Sequence, residues 1–126
     1  MNIVLWILQI LLALQFVFHA YIFGVQYGQT RTRPGMAWMA QVPGGLRYLI
    51  SICEVLGGIG LILPALTGIL PWLTPLAAAL LALLMLLAAG FHLPRREYPN
   101  IVFNLILFLM AAFVAYGRFV IAPLYS

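Results

Sequence analysis

From Val55 to Pro94 the chain runs for 40 consecutive residues without a charged side chain. A membrane-spanning helix needs about 20 mostly apolar residues, so a run of this length fits two spans. Two other uncharged runs, from Met1 to Thr30 and from Tyr98 to Gly117, each have room for one more. The pattern therefore predicts four transmembrane helices, over about residues 2–24, 46–66, 72–93 and 100–120.

The composition excludes the other fold classes. Of the 126 residues, 66% are hydrophobic and 6% are charged, whereas soluble domains carry roughly 25% charged residues. A soluble fold of this size has too little interior for so much apolar surface, and a disordered chain needs low hydrophobicity. We predict an all-α integral membrane protein, an antiparallel four-helix bundle that forms a single transmembrane domain over residues 1–126.

The arginines predict the orientation of the bundle. The first and third loops contain Arg31, Arg33, Arg95 and Arg96, whereas the opposite side has only Arg118, near the end of the fourth helix. Because basic residues are enriched in cytoplasmic loops, we expect a multi-pass protein of the cell inner membrane with both termini on the non-cytoplasmic side. The arginines form no cluster for nucleic acid, so the lipid bilayer is the expected partner.

Each predicted span carries its polar residues on one stripe. Packed membrane helices bury a stripe whose members are three or four residues apart, and small residues on it let the backbones approach closely. The four stripes are Leu8, Leu12, Gln15, His19 and Ile22; Arg47, Ser51, Glu54, Gly58 and Leu61; Ala78, Ala82, Met85, Ala89 and His92; and Asn104, Phe108, Ala111, Ala115 and Arg118.

One leaflet of the bundle is predicted to hold a polar intramembrane site. At a rise of 1.5 Å per residue, four polar residues, one from each helix, lie within about 12 Å of the charged-loop side. Two more lie one turn away on the same faces. The predicted site residues are Glu54, His19, His92, Asn104, Gln15 and Ser51. No catalytic role is assigned to any of them.

Glu54 is the most informative of these residues, because it is the one charged side chain clearly inside a span. An ionisable group at membrane depth is costly and marks a functional site by default. Two interpretations stay open. Glu54 is either a proton carrier or ligand site, or it is a polar tie that hydrogen-bonds a histidine or an asparagine of another helix.

The remaining reactive side chains receive simpler interpretations. His19 and His92 lie on different helices at similar depth and could ligate haem, but neither belongs to a short-spaced ligand motif, so no metal site is predicted. Arg118 is expected to reach the lipid headgroups at the outer end of its helix. Cys53 is expected to be a small buried hydrophobe.

The chain from Arg47 onward, which begins RYLISICEVLGGIG, resembles the DoxX-like membrane proteins, as does AFVAYGRF near the end. The matching residues are Glu54, Gly57, Gly60, Pro64, Thr67, Gly68, Pro71, Trp72, Leu73, Met85, His92, Asn104, Tyr116, Gly117 and Arg118. The resemblance implies a small four-helix inner-membrane protein. The family takes its name from a subunit linked with thiosulfate:quinone oxidoreductase. Its members often carry a lysine near the inner end of the first helix, where this chain has His19.

Three functions are compatible with these observations. The first is an accessory membrane subunit that binds a quinone-like lipid or a partner near Glu54, the partner being a membrane oxidoreductase or a second copy of the chain. The second is a proton-coupled small-molecule transporter. The third is a redox subunit with bound haem or quinone. The sequence has no nucleotide, iron–sulfur or flavin motif, so no cofactor is assigned and enzymatic activity stays open.

A reporter fused to Ser126 tests the predicted orientation in a bacterial host. We expect fused alkaline phosphatase to be active, because its disulfides form only in the oxidising periplasm, and fused green fluorescent protein to be dark. The same reporters placed after Arg96 should give the opposite pattern. A cytoplasmic Ser126 would contradict the predicted orientation.

Overall fold

The computed structural model describes residues 2–25, 28, 38 and 42–121, and helices account for most of them. The helices are α1 (Asn2–Ala20), α2 (Gly44–Thr67), α3 (Leu73–His92) and α4 (Tyr98–Tyr116). Helices α1 and α4 each continue into a wider, π-helical turn, at Tyr21–Val25 and Gly117–Ile121. With these turns included, all four helices are long and apolar enough to cross a membrane.

These helices confirm the prediction of a membrane-spanning four-helix bundle, and each predicted boundary lies within two residues of the observed one. The bilayer interior has no water for the backbone, so a segment can cross it only if its hydrogen bonds close internally. Uncharged segments rich in leucine and alanine satisfy this condition as helices. Arg31 and Arg33, which contribute to the predicted orientation, lie outside the described residues.

The four helices form a closed ring, in which α1 packs on α2 and α4, and α3 packs on the same two helices. Short connections between α2 and α3 and between α3 and α4 make these neighbours antiparallel.

Helix α2 ends at Thr67 and is capped by Gly68, which has a left-handed backbone (φ 73°) and donates its N–H to the Pro64 carbonyl at 3.0 Å. The α3–α4 loop contains Arg96, also with a left-handed backbone (φ 55°). This end of the bundle is called the charged-loop end below.

Glycines at two successive positions let α2 approach both of its neighbours. A Cβ atom on Gly58 would lie 2.9 Å from the Cγ2 atom of Val17 on α1. A Cβ atom on Gly57 would lie 2.7 Å from the Cδ2 atom of Leu81 on α3. Any larger residue would therefore push the helices apart, which explains why small residues occupy this part of α2.

The interior combines apolar side chains from all four helices, whereas most leucines and isoleucines outside it face outward. Cys53 is also exposed, so the prediction that it is buried was wrong. Its position on α2 faces outward because Ser51 and Glu54 occupy the buried face of that turn.

The buried faces agree with the predicted stripe on α2 and differ from it on α1. All five predicted α2 residues are buried. On α1, however, Gln15 and His19 are only partly buried, and the fully enclosed polar residue is Gln9. The predicted α1 stripe includes Gln15 and His19, but α1 is rotated so that Gln9 and Phe16 face the centre of the bundle.

Pro64 leaves one carbonyl of α2 without its helical partner, and α3 supplies a replacement. Proline has no N–H, so the carbonyl oxygen of Gly60, four residues earlier, loses its usual donor. The Thr74 hydroxyl donates a hydrogen bond to that oxygen at 2.8 Å, and Thr74 is fully buried. This bond satisfies the backbone of α2 and fixes the first turn of α3 against it.

We expect Thr74→Val to lower the stability of the bundle by about 1 kcal/mol, because the Gly60 carbonyl would lose its donor. Thermal unfolding in mild detergent measures this change. The effect should shrink in a Pro64→Ala background, in which the backbone N–H of residue 64 is restored. Thr67→Val is the matched control, since the exposed Thr67 hydroxyl donates to Leu63 of its own helix and accepts from the nearby Ile69 N–H, so neither bond joins two helices. Equal losses in the two threonine variants would contradict this role of Thr74.

Candidate functional site

A histidine–carboxylate pair joins α1 to α2 inside the membrane. The Nδ1 atom of His19 lies 2.9 Å from each carboxylate oxygen of Glu54. Glu54 is 1% exposed, whereas the His19 side chain is 25% exposed. When the Nδ1–H group donates a hydrogen bond to the carboxylate, the other ring nitrogen, Nε2, remains for other partners. The pair can therefore hold a proton at a defined atom next to open space.

That open space is a cavity of about 380 Å³, with walls from all four helices. Five of the six predicted site residues line it: Glu54, His19, His92, Asn104 and Gln15. Much of the remaining wall is aromatic, from Phe16, Phe23, Trp38 and Phe91. Small-molecule sites in proteins have this size and this combination of an apolar wall with a few polar groups.

Ser51, the sixth predicted residue, is buried on the same face of α2 but does not line the cavity. Its hydroxyl oxygen lies 3.1 Å from the position of a Cβ atom on Gly24, in the π-helical turn after α1. Ser51 thus belongs to the contact between α1 and α2. Arg47, one turn earlier, strengthens the same contact by donating from Nη1 to the carbonyl oxygens of Phe23 and Gly24 at 2.8 and 3.0 Å.

Two buried hydrogen-bond donors in residues of the cavity wall have no acceptor among the residues that the structure describes. They are the Nδ2 group of Asn104, a residue that is 8% exposed, and the Nε1 group of Trp38. A buried donor without an acceptor costs about 1–3 kcal/mol, so native proteins rarely retain one without a reason. A bound molecule or a water in the cavity could supply acceptors to donors of this kind.

Aromatic and charged side chains close the charged-loop end of the cavity. The rings of Trp38 and His92 meet edge to face, with centroids 4.7 Å apart. The Nδ1 atom of His92 lies 2.8 Å from the Oε1 atom of Glu97, and Arg95 donates from Nε to the same oxygen at 2.9 Å. Partial burial acts to raise the pKa of Glu97, but the hydrogen bonds from His92 and Arg95 outweigh it and hold this pKa below its usual value of 4.5.

The opposite end of the bundle contains Arg118, and its position corrects the prediction that this side chain reaches the lipid headgroups. Arg118 is 1% exposed. Its Nε atom donates to Gln9 Oε1 and its Nη1 atom to Asn2 Oδ1, both at 2.7 Å. Gln9 in turn donates from Nε2 to the carbonyl oxygen of Leu61 at 2.6 Å. A guanidinium with several planar donors is drawn inward by these acceptors rather than outward by lipid phosphates.

The tie between Gln9 and Arg118 was not predicted, although the sequence contains a signal for it. Both are polar residues of the bundle half opposite the charged-loop end, on the first and last helices. Polar side chains inside a membrane pair with each other across helices. The contribution of Trp38 to the cavity has no comparable signal, because its place depends on ring contacts with Phe23, Phe91 and His92, which are distant in the sequence.

Comparison with known proteins agrees with this architecture. Residues 7–114 match the DoxX-like family. The chain belongs to the DoxX-like family. The matched range contains the positions of Glu54, His19, His92 and Asn104, and the match confirms the resemblance seen in the sequence. No curated protein and no solved structure matches this DoxX-like chain.

The lowered pKa of Glu97 predicts a pH-dependent stability. A carboxyl whose pKa is lower in the folded chain stabilises the fold above its unfolded pKa, and this stabilisation is lost as the pH falls through the folded pKa. Glu97→Gln should therefore unfold at a lower temperature than the wild type at pH 7. The difference should disappear as the pH falls below 4.5.

Thermal scans of both proteins from pH 7 to pH 3 measure this difference. Arg96→Gln is the control, because it changes an exposed charge in the same loop. A difference between Glu97→Gln and the wild type that does not vary with pH would show that the ion pair does not stabilise the fold.

Proposed function

We propose that this DoxX-like protein is an accessory membrane subunit whose cavity binds the head group of a quinone-like lipid beside Glu54 and His19. The observation that carries the proposal is the unpartnered Nδ2 group of Asn104. It lies on a residue that is more than nine-tenths buried, in the wall of the cavity that also contains the His19–Glu54 pair. A buried amide donor of this kind needs an acceptor, and a quinone head group has two carbonyl oxygens.

The other wall residues suit the same ligand. Phe16, Phe23 and Phe91 offer flat apolar surfaces to a ring, and Trp38 adds a second donor. A bound quinone would supply two-electron redox chemistry with proton uptake. The chain itself contributes a positioned imidazole, because the bond from Nδ1 to Glu54 holds the His19 ring in one orientation.

The bond between His19 and Glu54 also ties α1 to α2, and the proposed binding role adds to this structural one. The Glu54 carboxylate is 1% exposed, so it needs a hydrogen-bond donor whether its role is structural or in binding. A purely structural tie, however, does not require a cavity beside it or unpartnered donors in the opposite wall. These two features favour a ligand site over a tie alone.

The transporter and haem interpretations remain predictions that no specific contact favours. In the half of the bundle beyond the cavity, Leu5, Leu12, Leu61 and Ala111 are fully buried, so transport would require the helices to separate there. For haem, the Nδ1 atoms of His19 and His92 bond to Glu54 and Glu97, which leaves only the Nε2 atom of each ring to ligate an iron, and no contact favours that use over another ligand.

With the predicted orientation, the proposed site would lie in the cytoplasmic leaflet of the inner membrane. A cytoplasmic or membrane-bound oxidoreductase would then reach the charged-loop end. A second copy of the chain is the other partner that the sequence leaves open.

Quenching of Trp38 fluorescence tests the proposed site. In a Trp6→Phe, Trp72→Phe background, Trp38 is the single tryptophan. We expect a decyl-substituted benzoquinone to quench it saturably. Asn104→Leu should weaken binding about tenfold, which corresponds to one lost hydrogen bond. Glu54→Gln should also weaken it, because an amide has only one acceptor oxygen and holds the His19 ring less firmly than the carboxylate, both of whose oxygens lie 2.9 Å from Nδ1.

Ser51→Ala is the matched control, since Ser51 is buried on the same face of α2 but lies outside the cavity wall. It should bind the quinone like the parent protein. Quenching that does not saturate, or equal affinities in Asn104→Leu and Ser51→Ala, would refute the site. Mass spectrometry of lipids that co-purify in mild detergent identifies the natural head group.

A further inference from the structure

An apolar groove of about 460 Å³ runs along the outer face of the bundle between α2 and α3. Its floor exists because α2 approaches α3 closely: a Cβ atom on Gly60 would lie 2.9 Å from that of Ala77. The larger side chains of its walls include Leu56 on α2 and Leu76, Leu80 and Leu83 on α3, with Cys53 near one end. Of these leucines, Leu56, Leu80 and Leu83 are more than half exposed.

The groove adjoins the polar cavity. Leu84 and Leu87 line both spaces. Leu87 is also exposed on the outer surface of α3, so this shared wall is where a lipid outside the bundle is nearest to the cavity.

The direction of the groove matches that of a lipid tail. Along α3 its wall extends from Leu73 to Leu87, which is roughly 21 Å at 1.5 Å per residue. The hydrocarbon core of a bilayer is about 30 Å thick, so one leaflet contributes about 15 Å. The groove is therefore longer than one leaflet, and a molecule with its head in the cavity would direct its tail to the bilayer centre and beyond it, which suits a long tail.

A ligand from water and a lipid from the bilayer would meet different side chains. The edge-to-face contact of Trp38 with His92 and the bond between His92 and Glu97 lie at the charged-loop end of the cavity. A ligand that enters from water at this end would pass these aromatic and charged side chains. A lipid that enters between α2 and α3 would pass only apolar side chains and would keep its tail in hydrocarbon throughout.

From this shared wall we infer that the groove holds the hydrocarbon tail of the ligand whose head group occupies the cavity. The ligand class is therefore a long-tailed membrane lipid with an acceptor-bearing head, which enters sideways between α2 and α3. The inference rests on the proposed function and adds to it the tail and the entry route.

Paired variants in lipid nanodiscs, with Trp38 as the reporter, test the inference. Cys53→Phe places a large side chain in the groove, whereas Ala79→Phe places the same side chain on an exposed part of α3 outside it. The probes are a tail-less benzoquinone and the same head group with a long isoprenoid tail. Each probe is compared between the two variants and not with the other probe. The probe then partitions equally into the lipid in both measurements, so partition does not affect the ratio of affinities.

We expect Cys53→Phe to weaken binding of the long-tailed probe about tenfold relative to Ala79→Phe, and to leave the tail-less probe unchanged. Equal affinity of the two variants for the long-tailed probe would place the tail in bulk lipid and overturn the inference. If neither probe quenches Trp38 saturably in any variant, the proposed head-group site itself fails, which is a different outcome.

Cys53 provides a second readout without mutation, because it is the single cysteine of the chain. The long-tailed probe should slow alkylation of Cys53 by a membrane-permeant maleimide at least severalfold, and the tail-less probe should not. If protection of Cys53 from alkylation rises with the protein concentration and not with the concentration of the long-tailed probe, a second copy of the chain covers the groove. That result would also overturn the inference.

Discussion

The lipid interior offers no water, so every polar group inside the bundle must find its partner in the protein or in a ligand. Much of the structure follows from this constraint. Thr74 serves the carbonyl that Pro64 leaves without a donor, and Gln9 receives the guanidinium of Arg118. His19 shields the charge of Glu54. Exceptions therefore carry information. One of them is the Asn104 amide donor, which meets no acceptor among the described residues and belongs to a residue in the cavity wall.

The bundle is divided into two halves that do different work. The half near Asn2 and Arg118 is packed with fully buried side chains and fastened by hydrogen bonds between α1, α2 and the turn after α4. The charged-loop half contains the cavity, whose walls come from all four helices. The rigid half can hold the helices in register while the open half accommodates a ligand. Close packing and an interior cavity are therefore compatible in a chain of only 126 residues.

The sequence predicted most of the fold because apolar length is a strong signal for a membrane span. It also predicted the buried face of α2, on which Ser51, Glu54 and Gly58 share one stripe. It was wrong about Arg118 and about the rotation of α1, and for the same reason. Gln15 and His19 suggested one inward face, but the pairing of Gln9 with Arg118 helps to set another. A pairing between residues 109 positions apart cannot be read from local periodicity.

The sequence by itself determined that the chain crosses the membrane four times, because uncharged segments of this length cannot be stable elsewhere. It also determined that Glu54 would be the one carboxyl group inside a span. Only the tertiary structure decided what surrounds that carboxyl. The contact with His19, the cavity beside Asn104 and the groove that continues along α2 and α3 depend on helix rotation and interhelical distance. Both are set by contacts such as those of Gly57 and Gly58, which involve residues far apart in the chain.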